Sequence, residues 1–160
     1  MDNDNLHNTE LNFRKAKSED LGILNKISVM SKSYWGYPKE WLEHWKEELV
    51  MTAKDLDSLR ITVVERLSEP IGFCAVEEKE LEFEIVHLWV IPEYIGCGYG
   101  GQLLRKSLQG ILTGTKPVKV VSDPNVEGFY EKFGFETIDQ EESYPKGRFL
   151  PVMRKTPSQT

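Results

Sequence analysis

The chain has 160 residues, of which 39% are hydrophobic, 11% aromatic and 29% charged, and its formal net charge is −6 at pH 7. That length fits one ordinary domain with a continuous core, and the aromatic content argues against a disordered chain. A net negative charge disfavours nucleic acid or an anionic membrane as a partner. An acidic surface suits a cationic substrate such as an amine, although it equally serves to keep a protein soluble.

The cysteine content and the polar N-terminus indicate the cellular compartment in which the protein works. The two cysteines, Cys74 and Cys97, form neither a dense disulfide framework nor the paired spacings of a metal site, so we expect no metal. No apolar run resembles a signal peptide or reaches membrane length, so a cytoplasmic location is the default. We expect residues 1–10 to be a disordered leader, residues 11–155 a single domain and residues 156–160 a frayed tail.

The first half of the chain predicts a strand, two helices and an antiparallel hairpin. A strand over Leu11–Ala16 precedes a helix capped by Ser18, and Pro38 opens a second helix after an aromatic break. Runs rich in β-branched and apolar residues then predict three strands, over Arg60–Leu67, Ile71–Glu77 and Glu82–Ile91.

The second half alternates helices with short strands. The predicted elements are a helix over Tyr99–Leu112, a strand over Val118–Ser122, a helix over Val126–Phe133 and two closing strands over Phe135–Asp139 and Arg148–Arg154. The full order is therefore β-α-α-β-β-β-α-β-α-β-β. Antiparallel strands followed by helical crossovers predict an α/β fold, with a mixed sheet and helices on both faces.

A glycine-rich turn, Ile95–Gly101, joins the strand Glu82–Ile91 to the helix that follows. Glycines let a backbone approach an anion closely, and a helix N-terminus favours phosphate, so the turn predicts an anion site. A P-loop would need Lys-Ser/Thr after its last glycine, whereas Gln102-Leu103 follow here. The glycines run G-x-G-x-G-G and not G-x-G-x-x-G, which disfavours a nucleotide-dependent oxidoreductase.

Two blocks of this sequence resemble motifs of the GNAT acetyltransferases. Val90-x-Pro92 followed by Gly98-x-Gly100 resembles the cofactor motif V-x-P-x-x-[Q/R]-x-x-G-x-[G/A]. Asn125 and the run FYEKFGF at residues 129–135 resemble the family's second motif at its usual separation. The likeness covers about residues 82–139, and the order of elements extends it to nearly the whole chain. Ile95 departs from the pattern, because the family has Gln or Arg there, so we expect weaker side-chain support for a pyrophosphate.

The resemblance implies a GNAT-like sheet that splays at its centre and an N-acetyltransferase that uses acetyl-CoA. Backbone groups at the end of the third strand of the antiparallel set should then meet the pantetheine arm, and the glycine-rich turn should cradle the pyrophosphate. Asn125 should contact the pantetheine or support the thioester. The cofactor contacts implied in this way are Leu88, Trp89, Val90, Ile95, Gly96, Cys97, Gly98, Tyr99, Gly100, Gly101, Asn125 and Tyr130.

The resemblance also implies how the reaction is catalysed. Tyr130 stands where the family places a proton donor for the departing thiolate, with a core tyrosine as the structural alternative. The base is Glu84, His87 or a chain of water molecules. Strand alternation puts Glu84 on the face of Leu88 and Val90, and His87 on the opposite face unless a bulge intervenes. Neither cysteine is placed to act as a nucleophile, so we expect direct transfer within a ternary complex.

In this family the N-terminal helices and a late hairpin select the acceptor. We expect Trp35 and Tyr37 to meet a cationic acceptor by cation–π contact, with Tyr144 and Arg148 on the opposite wall. A hydrophobic staple and a surface arginine are the structural alternatives. The acceptor is expected to be a small-molecule or peptide amine, and a homodimer is an open alternative since dimers are common in the family. The alternative function is an acyl-CoA-binding or regulatory module of the same fold without turnover.

Overall fold

The computed structural model describes residues 11–157, so the predicted leader and the last three residues of the predicted tail lie outside the described range. A seven-stranded sheet runs through this part of the chain in the order β1-β2-β3-β4-β5-β7-β6. Its strands are β1 Leu11–Lys15, β2 Arg60–Arg66, β3 Glu69–Glu78, β4 Phe83–Val90, β5 Val118–Val121, β6 Glu136–Glu142 and β7 Phe149–Lys155. Neighbouring strands are antiparallel except β4 and β5, which are parallel.

Helices cover both faces of this sheet, which confirms the expected mixed α/β fold. Between residues 11 and 157 they are α1 Leu21–Ser33, α2 Lys39–Leu49, α3 Ala53–Ser58, α4 Tyr99–Gln109 and α5 Glu127–Lys132. On one face, Leu103 and Leu104 of α4 join Tyr130 of α5 in a buried cluster. On the other face, Leu24 and Ile27 of α1 form a second cluster with residues of the sheet.

One local prediction at a helix start was wrong. Ser18 does not cap α1, because residues 18–20 form a separate 3₁₀ turn and α1 begins at Leu21. The carboxylate of Asp20 organises that turn, accepting from the Lys17 amide at 2.7 Å and from both guanidinium nitrogens of Arg14 at 2.8 Å.

The short helix α3 was not predicted, because its six residues carry too little apolar periodicity. A capping box was nevertheless visible in the sequence, since the Thr52 and Asp55 side chains each bond the other residue's backbone amide.

A β-bulge in β4 reverses the faces of the residues before it relative to those after it. His87 pairs with Ala75, whereas Ile85 pairs with Val76, so Val86 is an extra residue with no partner on β3. The extra residue shifts the alternation by one from this point onward.

The prediction that Glu84 shares a face with Leu88 and Val90 is therefore wrong. Leu88 and Val90 pack against the same cluster as Ile85, and Glu84, as the neighbour of Ile85, points the other way. Val86 and Trp89 pack against the α1 cluster, so Glu84 lies on the α1 side of the sheet.

The central parallel pair opens soon after it forms. β4 and β5 are paired only at Phe83 with Val118, Glu84 with Lys119 and Ile85 with Val120. β4 then continues to Val90 while β5 ends at Val121 and pairs on its other side with β7. Beyond Ile85, no strand among residues 11–157 pairs with the β5-facing edge of β4, which confirms the expected splay.

Gly72 allows the close approach that holds β3 against this part of β4. A Cβ atom built on Gly72 would lie 2.6 Å from the Trp89 carbonyl oxygen, which is main chain and cannot rotate away. We expect Gly72→Ala to lower the free energy of unfolding by about 1–3 kcal/mol through overpacking. Gly110→Ala is the matched control, because its Cβ meets no atom within 4 Å. Equal denaturation midpoints for the two variants would contradict this packing.

Candidate active site

A cavity of about 620 Å³ lies where β4 and β5 separate, and we name it the splay cavity. β4 from Ile85 to Val90 forms one wall, and the ends of β5, α4 and α5 complete it. The predicted site residues that line it are Trp35, His87, Leu88, Trp89, Val90, Ile95, Gly96, Gly98, Gly100, Gly101 and Tyr130. The fold thus brings the strand, the glycine-rich turn and the second motif together around one space.

The glycine-rich turn divides its amides between the protein and the cavity. The Ile95 amide donates to the Pro92 carbonyl oxygen at 3.3 Å and the Cys97 amide to that of Tyr94 at 3.1 Å. These two N–H groups are therefore engaged inside the turn, so the expectation that the whole run offers its amides was too broad. Any help from the Ile95 backbone, where the family has Gln or Arg, is weakened for the same reason.

The glycine amides of the turn stay open. Gly96 and Gly98 have φ of 90° and 84°, the left-handed region that suits glycine. The first helical bond of α4 runs from the Gln102 amide to the Gly98 carbonyl oxygen. Within residues 11–157, the amides of Gly96, Gly98, Gly100 and Gly101 donate to no backbone carbonyl. They lie at a helix N-terminus, where the dipole favours an anion.

Three predicted cofactor contacts lie outside the lining of the splay cavity. Cys97 is exposed. The ring of Tyr99 is only 3% exposed and packs into the core under α4. Asn125 uses its side-chain amide nitrogen to donate to the Tyr37 hydroxyl and to the Asp123 carboxylate, both at 2.9 Å. These three side chains do not face the splay cavity.

Tyr130 is both a core residue and a lining residue of the splay cavity. Its ring packs among Phe129 and Phe135, at centroid distances of 5.2 and 5.4 Å, and it also lines the splay cavity. Burial raises the pKa of the Tyr130 hydroxyl, and the nearby Cys74 thiol adds to the shift. The hydroxyl therefore keeps its proton at neutral pH.

Sequence reasoning missed several residues on the α4 and α5 side of the cavity. Gln102, Arg105 and Lys132 line it, and the Arg105 guanidinium lies 5.2 Å from the centre of the Phe133 ring. Arg105 follows Gly101 by four positions, so helical spacing placed a cation one turn after the glycines. The two basic side chains give this end of the cavity a positive charge.

His87 is held as a neutral imidazole. Burial lowers its pKa to about 4, and the indole N–H of Trp89 donates to its Nδ1 at 3.1 Å. The lone pair of Nδ1 is thus engaged, and Nε2 carries the remaining proton. This arrangement makes His87 a weak base at neutral pH.

A second cavity of about 690 Å³ lies beyond the same opening, and we name it the acidic groove. It shares Ile85, Val86 and Val121 with the splay cavity, so the two spaces meet where β4 leaves β5. Its remaining lining residues are His44, Glu48, Glu84, Glu141, Glu142, Ser143, Tyr144, Lys146 and Leu150. Four glutamates against one lysine give the groove a negative charge.

Glu84 and Tyr144 are the predicted site residues of the acidic groove. Glu84 forms an ion pair with Lys79 at 2.6 Å and its side chain is 18% exposed. The ring of Tyr144 stacks on His44 with 3.7 Å between centroids. The other two predicted acceptor residues, Tyr37 and Arg148, line neither space and instead bind each other at 3.0 Å.

The described residues form neither a metal site nor a membrane-spanning helix. Between residues 11 and 157 no group of three or more His, Cys, Asp or Glu side chains is arranged to hold a metal ion. Over the same range no helix combines the length and apolar character needed to cross a membrane. Both cysteines are free thiols, and burial raises the pKa of Cys74 to about 12, so that thiol stays protonated.

Comparison with known protein families gives one sequence match. The family described as acetyltransferase (GNAT) domain matches residues 57–137, which is just over half of the 160 residues. The matched region contains β4, the glycine-rich turn and Tyr130. None of the curated proteins compared with the chain matches it.

Solved structures resemble the chain over almost its whole length. The PaiA N-acetyltransferase of Thermoplasma acidophilum, solved in complex with coenzyme A, is 23% identical to this chain with a TM-score of 0.70. The matched region covers 91% of this chain and 98% of the PaiA chain. Arabidopsis thaliana Naa50, in complex with the bisubstrate analogue CoA-Ac-MVNAL, is 19% identical with a TM-score of 0.65 and coverages of 92% and 99%.

The ribosomal-protein-S18-alanine N-acetyltransferase of Escherichia coli is also similar. It is 14% identical, with a TM-score of 0.68, and covers 94% of this chain and 96% of its own. At these identities the structures show a shared fold, whereas the family match rests on the sequence itself. Since that match spans more than half of the residues, the chain belongs to the GNAT acetyltransferase family.

Proposed function

We propose that this protein transfers an acetyl group from acetyl-CoA directly to the nitrogen of an amine. The observation that carries the proposal is the meeting of two spaces at the β4–β5 splay. One space contains open glycine amides and Tyr130, and the other contains Glu84. A thioester and an amine entering from opposite sides would meet at the shared wall of Ile85, Val86 and Val121.

The splay cavity fits the size and charge of the cofactor arm. Its volume of about 620 Å³ falls in the usual range for ligand pockets, roughly 300–1,000 Å³. The amides of Gly96, Gly98, Gly100 and Gly101 would hold the pyrophosphate, with Arg105 close by. The unpaired edge of β4 beyond Ile85 would offer its backbone to the pantetheine amides. Complexes of the related structures with coenzyme A and a CoA bisubstrate analogue support the same use here.

Tyr130 is the proposed proton donor. As the amine nitrogen forms its bond to the carbonyl carbon, the carbon–sulfur bond breaks and its electron pair goes to sulfur. The Tyr130 proton then passes to that thiolate. Because burial raises the pKa of Tyr130, the protonated form is present across the physiological range.

Glu84 is the proposed base, acting alone or through water. An ammonium ion must lose a proton before it can attack, and a neutral amine must lose one as the new bond forms. Glu84 is the carboxylate of the acidic groove that lies next to the splay. His87, the rival candidate, is a weak base because its Nδ1 accepts from Trp89 and its pKa is about 4.

The acceptor is proposed to be a small-molecule or peptide amine that binds in the acidic groove. An amine arrives mostly as an ammonium ion, since an alkyl ammonium has a pKa of about 10.4. The four glutamates of the groove favour that charge, and the stacked Tyr144 and His44 supply a flat wall. A cytoplasmic location, a single domain over residues 11–155 and a homodimer remain predictions.

The alternative is an acyl-CoA-binding module without turnover. Ile95, which replaces the Gln or Arg of the family motif and has its amide bound within the turn, is the observation behind it. A thiol-release assay with a panel of amines separates the two. Tight acetyl-CoA binding without CoA release from any amine would select the module.

Removing the Tyr130 hydroxyl should slow turnover without loosening the cofactor. We expect Tyr130→Phe to lower kcat by about 10²–10⁴-fold, the usual range for a lost proton-transfer group. The Kd of acetyl-CoA, measured by calorimetry, should stay near that of the wild type because the pyrophosphate contacts lie elsewhere. An unchanged kcat with a good acceptor would remove Tyr130 as the donor.

Gly98→Val tests the anion site. A side chain there would fill the open space before the amides and would also be strained at φ of 84°. Losing two charge-assisted hydrogen bonds would raise the acetyl-CoA Kd by roughly 100-fold. Gly147→Val is the matched control, since Gly147 has φ of 90°, has equally open surroundings and lies outside the cavity. Equal loss of binding in both variants would contradict the assignment.

Glu84 and His87 can be separated as bases. We expect Glu84→Gln to lower kcat/KM by roughly 100-fold. Lys79→Gln breaks the same ion pair but keeps the carboxylate, so it should retain most activity.

His87→Gln should leave the shape of the pH–rate profile between pH 5 and 9 unchanged, because a group with a pKa of about 4 does not titrate there. Loss of the low-pH limb of the profile in His87→Gln but not in Glu84→Gln would reverse the assignment.

A further inference from the structure

A polar cluster joins four separate elements beside the two cavities, and we name it the Asp123 clasp. It consists of Lys32, Tyr37, Asp123 and Arg148. Asp123 follows β5, and its carboxylate accepts from Lys32 Nζ at 2.6 Å and from the Tyr37 hydroxyl at 2.9 Å. The side chains of Lys32 and Asp123 are largely buried, at 12% and 9% exposure.

The Tyr37 hydroxyl has no bonding capacity left for a substrate. It donates to Asp123 and accepts from Arg148 Nη2 at 3.0 Å and from Asn125 Nδ2 at 2.9 Å. A tyrosine hydroxyl has one donor and two acceptor positions, so all three are used. Tyr37 therefore acts on its neighbours and not on a ligand.

Aromatic faces balance the charge of the clasp. Lys32 and Arg148 are two cations that share one carboxylate, and Arg148 lies 3.9 Å from it. Each cation lies 4.7 Å from the centre of the Trp45 ring and 5.0 Å from that of Tyr37. The single carboxylate leaves one positive charge of the cluster unbalanced. Cation–π attraction in a desolvated site offsets part of that charge.

The clasp lies between the splay cavity and the acidic groove. Asp123 lines the splay cavity, while Ser143 and Tyr144, at the start of the connection that contains Arg148, line the acidic groove. The hydrogen bond from Arg148 to Tyr37 joins the connection between β6 and β7 to that between α1 and α2, 111 residues apart in sequence. The two walls expected to select the acceptor are thereby fixed to each other and to the end of β5.

We propose that the Asp123 clasp is a positioning device for acceptor binding. It sets the distance between the α1–α2 connection and the β6–β7 connection, which are the two walls of the path by which the acceptor enters. Tyr37 and Arg148 then determine acceptor selectivity by holding the two walls together and not by touching the acceptor. This inference rests on the proposed acetyl transfer to an amine. It assigns to the clasp an effect on acceptor binding that is separate from cofactor binding and from chemistry.

Tyr37→Phe in the full chain is the decisive variant. It keeps the ring and its cation–π contacts but removes the hydroxyl that links Asp123, Arg148 and Asn125. We expect the acceptor KM to rise about tenfold, as for loss of a hydrogen bond to a charged group, and larger amines to become relatively better acceptors. The kcat at saturating acceptor and the acetyl-CoA Kd should stay within about twofold of the wild type.

Tyr34→Phe is the matched control. Tyr34 is half exposed, its ring contacts Trp35 at 5.0 Å, and it lies outside the clasp. This variant removes a hydroxyl from the same connection and should leave the acceptor KM and the order of acceptors unchanged. A merely structural clasp would lower the melting temperature of Tyr37→Phe while its KM matched that of Tyr34→Phe, and that result would overturn the inference.

A double-mutant cycle separates positioning from direct contact. If Tyr37 and Arg148 act through their shared hydrogen bond, Tyr37→Phe with Arg148→Gln should raise the acceptor KM no more than the larger single change. Additive effects would mean that Arg148 binds the acceptor itself and would also overturn the inference. A wild-type chain that binds acetyl-CoA but acetylates no amine would instead overturn the proposed function, and with it this inference.

Discussion

The short pairing of β4 with β5 is the constraint on which the site depends. Three residue pairs join the two strands before they part, and the pair does not form again because β5 ends at Val121 while β4 continues to Val90. The bulge at Val86 coincides with this opening and shifts the alternation of side chains between the two faces by one residue. An unpaired strand edge in the middle of a sheet costs backbone hydrogen bonds, and a ligand with amide groups can replace them. The opening therefore makes a binding site out of a sheet that is otherwise complete.

The splay cavity and the acidic groove carry opposite charge and share part of one wall. The splay cavity has positive character from open amides at the start of α4 and from Arg105, whereas the acidic groove is lined by glutamates. In the proposed reaction, an anionic cofactor and a cationic amine would be drawn to different sides of that wall. Burial keeps Tyr130 protonated on the cofactor side, and His87 stays neutral under Trp89. In the proposed reaction, the proton donor and the base would be separated along the same boundary as the two charges.

Local patterns in the sequence predicted the elements and the anion turn, because a strand, glycines and a helix start are adjacent in the chain. The bulge at Val86 could not be predicted, because the pattern of residues in the sequence does not reveal an extra residue in one strand. The predicted face of Glu84 was therefore reversed. The hydrogen bond from the Cys97 amide to the Tyr94 carbonyl oxygen depends on the backbone angles of the neighbouring glycines, which the sequence does not specify. The partnership of Tyr37 and Arg148 spans 111 positions, so both were predicted as ligand contacts although they bind each other.

A crystal structure of the chain soaked with acetyl-CoA tests the central claim most directly. We predict pyrophosphate oxygens about 3 Å from amide nitrogens of Gly96, Gly98, Gly100 and Gly101, and a thioester sulfur beside the Tyr130 hydroxyl at the splay. A cofactor bound elsewhere, or a glycine-rich turn left empty at saturating acetyl-CoA, would contradict it.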